Sequence, residues 1–376
     1  MNDIRRTFLW VIFGFSMVLL WDQWQVYNGN KATFFPAPTA APADKATAAA
    51  TPSAVKDLPV ASAPIAATNT PAGPSQVPVS ANAPVATPLE RIDVSTDVLK
   101  LSFDTEGGSL VRSEFLKFGD IADEQKPFVL LDQSSTRVYN AQTGLIGGNF
   151  PTHKSIMRFS GEKSLKDGQN ELTLRFESEV MNGVKLVKTY TLQRGSYAIA
   201  VKHEVINAGT TNVSPQLYLQ LVRDGNKPPG ESSFYSTFTG PAVYTEAKKY
   251  QKIEFKEIEN GKADIPKEST NGYVAMVQHY FASAWLVADG VQRDLFTRKV
   301  SDNLYSVGMI ASLGSLEPGS SKSVDARLFA GPQVETMLKE LSPGLELVKD
   351  YGMLAILSKP LYWLLDQLHA LLNNWG

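Results

Sequence analysis

Four histidines, at positions 153, 203, 279 and 369, are the side chains from which this chain could build a general base or a nitrogen-ligated metal site. No two of them stand at the spacing of a metal-binding pair. The chain also has no cysteine, which removes thiolate ligands, disulfides and cysteine nucleophiles together. The sequence therefore predicts neither a metal site nor a cofactor.

Two of the histidines lie in strand-like sequence, where a structural role is the first interpretation. His203 has the parity of Val201 and Val205, which is typical of a core or edge position in a strand. His279 has no carboxylate close in sequence to orient it as a base. HExxH, phosphate-loop and Gly-x-Ser-x-Gly motifs are missing. We expect no catalytic residue, although paired carboxylates that meet only in space stay open.

The overall charge argues against a polyanionic partner. The chain has 36 basic and 38 acidic residues and a formal net charge of −2, so it presents no global positive field for nucleic acid. The charged stretch from Glu246 to Glu259 mixes both signs and is interpreted as a solvated face. With 376 residues and 43% hydrophobic composition, the chain can build one large core or two ordinary ones.

An uncharged run from Thr7 to Trp21 follows Arg5 and Arg6 near the N-terminus. Extended to Tyr27, it would form roughly 30 Å of helix, enough to cross a bilayer. The predicted transmembrane anchor occupies residues 1–27. Its lipid-contacting side chains are expected to be Phe8, Leu9, Trp10, Val11, Ile12, Phe13, Phe15, Met17, Val18, Leu19, Leu20 and Trp21.

A cleaved signal peptide is the alternative interpretation of this run. A cleavage site needs small residues just past the apolar core, whereas Asp22 to Tyr27 is bulky throughout. We therefore favour a retained anchor. The positive-inside rule then keeps the N-terminus cytoplasmic, with the bulk of the chain in the periplasm of a bacterium and the anchor in its inner membrane.

Residues 28–89 form an Ala/Pro/Thr/Ser/Val-rich linker that holds eleven of the chain's 22 prolines. A stretch of this composition cannot bury enough apolar surface to offset its ordering entropy. It is predicted to be a disordered tether that makes few contacts.

Residues 90–332 carry the alternation of apolar and polar residues that indicates antiparallel strands. The pattern is clearest in 171–180, 197–205 and 216–222, and Gly-containing pairs such as Gly107-Gly108 and Asn182-Gly183 separate the strands as turns. Strands in this number, without interleaved long helices, predict a mainly β fold of two stacked antiparallel sheets, an enlarged sandwich.

The pattern becomes helical towards the C-terminus. Edge helices are predicted over 333–350, broken at Ser342-Pro343-Gly344. Residues 351–376 contain an amphipathic helix that begins near Ser358. It is expected to lie in the membrane interface, whereas docking on the sandwich is the alternative. Its leucine stripe consists of Leu361, Leu364, Leu365, Leu368, Leu371 and Leu372.

Several segments together resemble the N-terminal part of the YidC family of bacterial membrane protein insertases. They are Val94–Gly108, Thr191–Val201, Gly272–Trp285 and Asp350–Leu361, and the order of anchor, linker, β domain and amphipathic helix fits as well. The resemblance implies a periplasmic β-supersandwich domain, a fold also seen in sugar mutarotases.

The resemblance also implies a function and a set of partners. Such a protein helps insert and fold nascent inner-membrane proteins, alone or beside the Sec translocon, and contacts membrane lipid. In the family, the closing Asn374-Trp375-Gly376 leads into a transmembrane bundle with a hydrated groove, so this chain is expected to lack the groove. A periplasmic carbohydrate-binding or mutarotase-like protein is the alternative, and it would need a histidine aligned with a carboxylate.

Overall fold

The computed structural model describes residues 58–59, 89–121, 123–228 and 238–349. Within these ranges nineteen strands form two sheets. In chain order they are β1 (Arg91–Ser95), β2 (Leu99–Asp104), β3 (Ser109–Gly119), β4 (Pro127–Val129), β5 (Asp132–Gln133), β6 (Val138–Ile146), β7 (Met157–Gly161), β8 (Glu171–Ser178), β9 (Val184–Gln193), β10 (Ala198–Asn207), β11 (Gln216–Asp224), β12 (Thr239–Thr245), β13 (Lys249–Lys252), β14 (Glu268–Ser269), β15 (Tyr273–Gln278), β16 (Phe281–Val287), β17 (Arg293–Ser301), β18 (Leu304–Ser312) and β19 (Ser321–Pro332).

The first sheet has ten strands in the order β1-β2-β3-β6-β11-β18-β17-β14, with β4 paired to β3 and β5 to β6. The second has nine, in the order β13-β12-β15-β16-β19-β10-β9-β8-β7. All pairs of named strands are antiparallel. Apolar side chains from both sheets join in one large buried cluster. The predicted sandwich of antiparallel sheets is confirmed.

Strand β8 shows how the alternation produces this arrangement. Leu172, Leu174 and Phe176 are buried as predicted, because successive side chains of a strand point to opposite faces. Val180 has the same parity as these residues in the sequence, which predicts the same buried face. That prediction is wrong, because strand β8 ends at Ser178 and Val180, beyond it, is 52% exposed.

The predicted turns are present where the chain reverses between strands. Asn182 and Gly183 both have positive φ, 47° and 79°, and join β8 to β9 in a two-residue hairpin. A turn of this kind needs two left-handed residues, which asparagine and glycine adopt most easily. Gly107 and Gly108, with φ of 70° and 56°, are the last two residues of the four-residue turn that joins Asp104 of β2 to its ladder partner Ser109 of β3.

Short helices lie beside the sheets. Helix α1 spans Phe255–Glu259 and α2 spans Glu335–Leu341, followed by a 3₁₀ turn at Leu345–Val348. The interruption falls at Ser342 to Gly344, where Gly344 is left-handed with a φ of 82°. The hydroxyl of Tyr273 donates to the Gly344 carbonyl at 2.8 Å, so this turn is attached to strand β15.

Two predicted membrane elements lie outside the described residues, namely the anchor at 1–27 and the leucine-striped helix at 351–376. No helix in the described ranges is both long and apolar enough to span a bilayer. Most of the predicted linker also lies outside these ranges. Its two described internal residues are Leu58, which packs against the ten-stranded sheet, and Pro59, which is buried.

A buried lysine connects the two sheets. Lys188 of β9 is fully buried, and its Nζ donates to the carbonyls of Gly107 at 2.6 Å and Thr143 at 2.7 Å, both in the ten-stranded sheet. Its strand partner His203 of β10 is also fully buried and lies 3.0 Å from the Thr143 hydroxyl. The expected structural role of His203 is therefore confirmed.

Further hydrogen bonds cross the interior near this lysine. The Tyr190 hydroxyl donates to the Gly108 carbonyl at 2.7 Å, and the Trp285 indole donates to the Gln220 carbonyl at 3.1 Å. Tyr139 of the ten-stranded sheet reaches the other way and lies 2.7 Å from Ser283 Oγ. Buried polar groups without partners cost free energy, so these bonds favour one relative placement of the sheets.

Burial lowers the pKa of Lys188 to about 7, from 10.5. Between these two pH values the unfolded chain binds a proton at this site that the folded chain does not, so stability should rise with pH. Replacing Lys188 with Met removes the site. We expect the free energy of unfolding of the wild type, minus that of Lys188→Met, to increase from pH 7 to pH 9.5. The slope is at most about 1.4 kcal/mol per pH unit.

Chemical denaturation at a series of pH values measures this difference. Lys202→Met, at an exposed position on the neighbouring strand β10, is the matched control and should give no such slope. If the free energy of unfolding of the wild type minus that of Lys188→Met does not change with pH, the result would contradict a neutral lysine in the folded core.

Candidate functional site

A cleft of about 380 Å³ opens on the outer face of the ten-stranded sheet. The floor is formed by four consecutive strands of the sheet, β3, β6, β11 and β18. The rim comes from the turn after β2, from residues 153–154 and from Val300 and Ser301 at the end of β17. The lining residues are Asp104, Glu106, Ser109, Val111, Gln133, Val138, Asn140, Gln142, His153, Lys154, Gln220, Val222, Val300, Ser301 and Leu304.

The floor of the cleft contains paired amide side chains. The Gln220 amide donates to Gln142 Oε1 at 2.8 Å, and the Asn140 amide donates to Gln133 Oε1 at 2.8 Å. The remaining carbonyl oxygens, Gln220 Oε1 and Asn140 Oδ1, are buried and have no partner among the described residues, as is also true of Ser109 Oγ. Because neighbouring atoms enclose these oxygens, a ligand with N–H or O–H donors would reach them only after the floor side chains move.

One wall of the cleft is held by Tyr218. Its hydroxyl accepts the His153 backbone N–H at 2.9 Å and lies 2.6 Å from His153 Nδ1. The same hydroxyl lies over Gly144, where an added Cβ would approach it to 2.5 Å. A glycine is needed at position 144 because the tyrosine crosses so close to the neighbouring strand. Burial raises the pKa of Tyr218, so its proton is retained.

The burial of this face departs from the sequence expectation. In the sequence, Gln216, Tyr218 and Gln220 alternate with three leucines, and this pattern predicts a polar, solvated side of strand β11. Instead Tyr218 is 0% exposed and Gln220 is 1% exposed, and the strand is buried on both faces from Leu217 to Asp224. The alternation along β11 correctly predicts which side chains share a face. However, a central strand of a wide sheet can also be covered on its outer side, and alternation alone does not reveal this.

Two of the titratable groups at the cleft are held by neighbouring side chains. Asp104 at the rim is paired with Arg91 at 3.0 Å, and His153 is engaged with Tyr218. No group of three or more potential metal ligands occurs among the residues that the structure describes. The floor itself is lined by amide and hydroxyl groups, whose chemistry is hydrogen bonding.

The histidines singled out from the sequence do not meet in this cleft. His203 lies in the core between the sheets, and His279 lies in the tight turn between β15 and β16, with a φ of 48° and its ring against Tyr280. His369 lies outside the described residues. His153 lines the cleft, and the sequence offered no pattern around it that indicated this position.

A model of the YidC periplasmic domain matches residues 91–364. This range includes all nineteen strands and both short helices described above.

Full-length relatives are similar over the whole chain. The membrane protein insertase YidC of Cupriavidus metallidurans is 49% identical over 376 residues, and that of Burkholderia multivorans is 45% identical over 376 residues. Each alignment covers 100% of this chain and 66% of the relative. The chain thus spans slightly less than two thirds of the length of these relatives.

Solved structures show a more distant likeness. A galactose mutarotase-like protein from Lactobacillus casei has 11% identity and a TM-score of 0.38, over 64% of this chain and 100% of that one. A galactose mutarotase related enzyme from Lactobacillus acidophilus has 8% identity and a TM-score of 0.40, over 64% of this chain and 97% of that one. Similarity at this level identifies neither an activity nor a ligand.

Tyr218→Phe tests the wall of the cleft. The change leaves the buried His153 N–H without its acceptor, and an unsatisfied buried donor costs about 1–3 kcal/mol. We expect the free energy of unfolding to fall by that amount in denaturant titrations. Tyr305→Phe on strand β18 is the matched control, because in the described part of the chain no hydrogen bond involves its hydroxyl. Equal effects of the two changes would contradict this role for Tyr218.

Proposed function

Because the chain belongs to the YidC family of membrane protein insertases, we propose that it is the N-terminal and periplasmic portion of such an insertase. In this proposal it helps nascent inner-membrane proteins to insert and fold, alone or with the Sec translocon. The observation that carries the proposal is the 49% identity to an insertase along all 376 residues, the predicted anchor and linker included.

The proposed setting is the bacterial inner membrane. The apolar run before Trp21 would anchor the chain, and the preceding Arg5 and Arg6 would keep its N-terminus in the cytoplasm. The β domain would then face the periplasm. The leucine stripe from Leu361 to Leu372 would lie in the outer lipid boundary, where its apolar side chains leave water and its polar side stays wet.

We further propose that the β domain acts by binding and performs no chemistry of its own. The supporting observation is the cleft itself, which is lined by amide and hydroxyl groups and whose one histidine, His153, is engaged by Tyr218. A mutarotase-like protein would need a histidine free to work as a base. Of the histidines in strand-like sequence, His203 is enclosed in the core, and burial and the Lys188 charge lower its pKa to about 3.

A chimera tests the insertase proposal. Residues 1–376 of this chain would replace the aligned 66% of the Cupriavidus metallidurans insertase. We expect the chimera to sustain growth of cells depleted of their own insertase and to insert a reporter membrane protein, because the two chains share the same domain order. Protease protection of the reporter in spheroplasts measures its insertion.

The matched control is the same chimera with Leu364→Asp and Leu368→Asp. Each leucine withdrawn from the lipid boundary forfeits roughly 1.5–3 kcal/mol, so this variant should insert less reporter at equal protein level. A chimera that accumulates normally in the membrane but leaves the reporter uninserted would refute the proposed function. Equal insertion by both chimeras would refute the membrane role of the stripe.

The proposed orientation has a separate test, made possible by the absence of cysteine from the chain. Tyr280 is 66% exposed at the turn between β15 and β16. In intact spheroplasts, a membrane-impermeant maleimide should label Tyr280→Cys, whereas Asn2→Cys should be labelled only after lysis. Val277→Cys, on the buried strand β15, controls for unfolding and should stay unlabelled. Labelling of Asn2→Cys before lysis would show that the chain has the orientation opposite to the one proposed.

A further inference from the structure

An apolar cluster lies on the outer face of the ten-stranded sheet, beside the cleft. It consists of Ile146 of β6, Tyr218 of β11, Ile310 of β18 and Phe296 of β17, one outward residue from each of four adjacent strands. Tyr218 and Ile310 are directly opposite each other in the ladder. Three of the four are buried although they point away from the core between the sheets.

Leu58 of the linker packs on this cluster. The next residue, Pro59, is also buried. The Leu58 carbonyl accepts a hydrogen bond from Arg298 Nη1, and Arg298 lies two residues beyond Phe296 on the same strand. The contact therefore combines one apolar side chain with one backbone carbonyl, which is how short extended segments are commonly recognised.

The sequence of the linker makes this position distinct. Between Asn28 and Glu90 the chain has only two leucines, Leu58 and Leu89, in a background of alanine, proline and threonine. Leu89 is 65% exposed, which leaves Leu58 as the leucine with a docking partner. The proline after it fixes its own φ and disfavours the helical conformation at Leu58, so less entropy is lost on docking.

We propose that the linker carries a built-in ligand, Leu58-Pro59, which docks on the outer apolar cluster and straps the linker to the sheet next to the cleft. The place of docking is set by the strands that line the cleft. Tyr218 contacts His153 at the cleft wall, and Val300 and Ser301 at its rim follow Arg298 on strand β17. The strap thus fixes the linker beside the cleft and covers an apolar surface that would otherwise meet water.

The strap also divides the linker. Only residues 28–57, thirty in number, then separate the predicted anchor from the first contact with the sheet, instead of the 62 residues from 28 to 89. This inference is independent of the proposed insertase activity, because it rests on contacts within the β domain and its linker alone.

Limited trypsin digestion of the full chain, in detergent, tests the strap. Lys56 stands two residues before Leu58, while Lys45 in the same linker serves as the internal reference. A protease must hold several residues on each side of the cut in an extended form, so docking of Leu58 should protect the bond after Lys56. We expect cleavage there to be slower than after Lys45 by about tenfold, relative to the same bonds in a linker peptide.

Two variants release the strap from opposite sides. Phe296→Ala combined with Arg298→Ala alters the sheet and leaves the linker sequence intact, whereas Leu58→Ser alters the linker and leaves the sheet intact. Both should abolish the protection of Lys56. The controls are Arg327→Ala, at an exposed arginine of the nine-stranded sheet, and Val77→Ser, which precedes a different proline of the linker. Both controls should keep the protection.

Thermal melts identify any sheet variant that unfolds. In that case the cleavage rate after Lys56 in Leu58→Ser alone decides the test. The proposal would be overturned if, relative to the linker peptide, the wild type were cleaved equally fast after Lys56 and after Lys45. It would also be overturned if the bond after Lys56 stayed protected in the variants that release Leu58.

Discussion

The structure depends on a lysine amine buried between two sheets. Lys188 has no carboxylate partner in the hydrogen bonds around its Nζ, which donates to the carbonyls of Gly107 and Thr143. Because an unpaired buried charge is unfavourable, the pKa of the amine is lowered, and only a strict placement of the two carbonyls satisfies it. The two-glycine turn at 107–108 supplies one of these carbonyls. Specific polar bonds therefore favour one placement of the sheets around their shared apolar core.

The strands that receive these bonds also carry the outer site. Thr143 follows Gln142 on β6, and the Trp285 indole binds the carbonyl of Gln220 on β11. The side chains of Gln142 and Gln220 point the other way and are hydrogen-bonded to each other on the cleft floor. Because adjacent residues of a strand face opposite sides, holding the backbone from inside also positions the acceptors outside. The core and the cleft therefore lie on opposite faces of the same strands.

The outer face of the ten-stranded sheet combines two kinds of surface. At one end lie the amide and hydroxyl groups of the cleft floor, and at the other lies an apolar cluster occupied by Leu58 of the chain itself. Hydrogen-bonding groups and apolar side chains together are what the recognition of a polypeptide segment requires. These two features underlie the proposal that the domain acts by binding.

Arg293 shows what kind of residue the sequence conceals. It is fully buried and donates to five backbone carbonyls, including those of Gly272 and Ala288, so that it ties together the loops at the start of β15 and the end of β16. Charged residues in strands are normally read as solvent-facing, and the carbonyls that hold this one come from residues scattered between 270 and 291. No pattern along the chain indicates such a convergence.

The sequence by itself determined the class of fold, most of the strand parity and the family. Alternation follows from the two-residue period of a strand, and paired left-handed residues such as Asn182-Gly183 are required by tight hairpins, so both are visible locally. The pairing of Gln220 with Gln142, the burial of Tyr218 and the docking of Leu58 were decided by tertiary structure. These contacts join residues 78, 65 and more than 200 positions apart. Their energies depend on which strands become neighbours, and that order is set only when the whole sheet has formed.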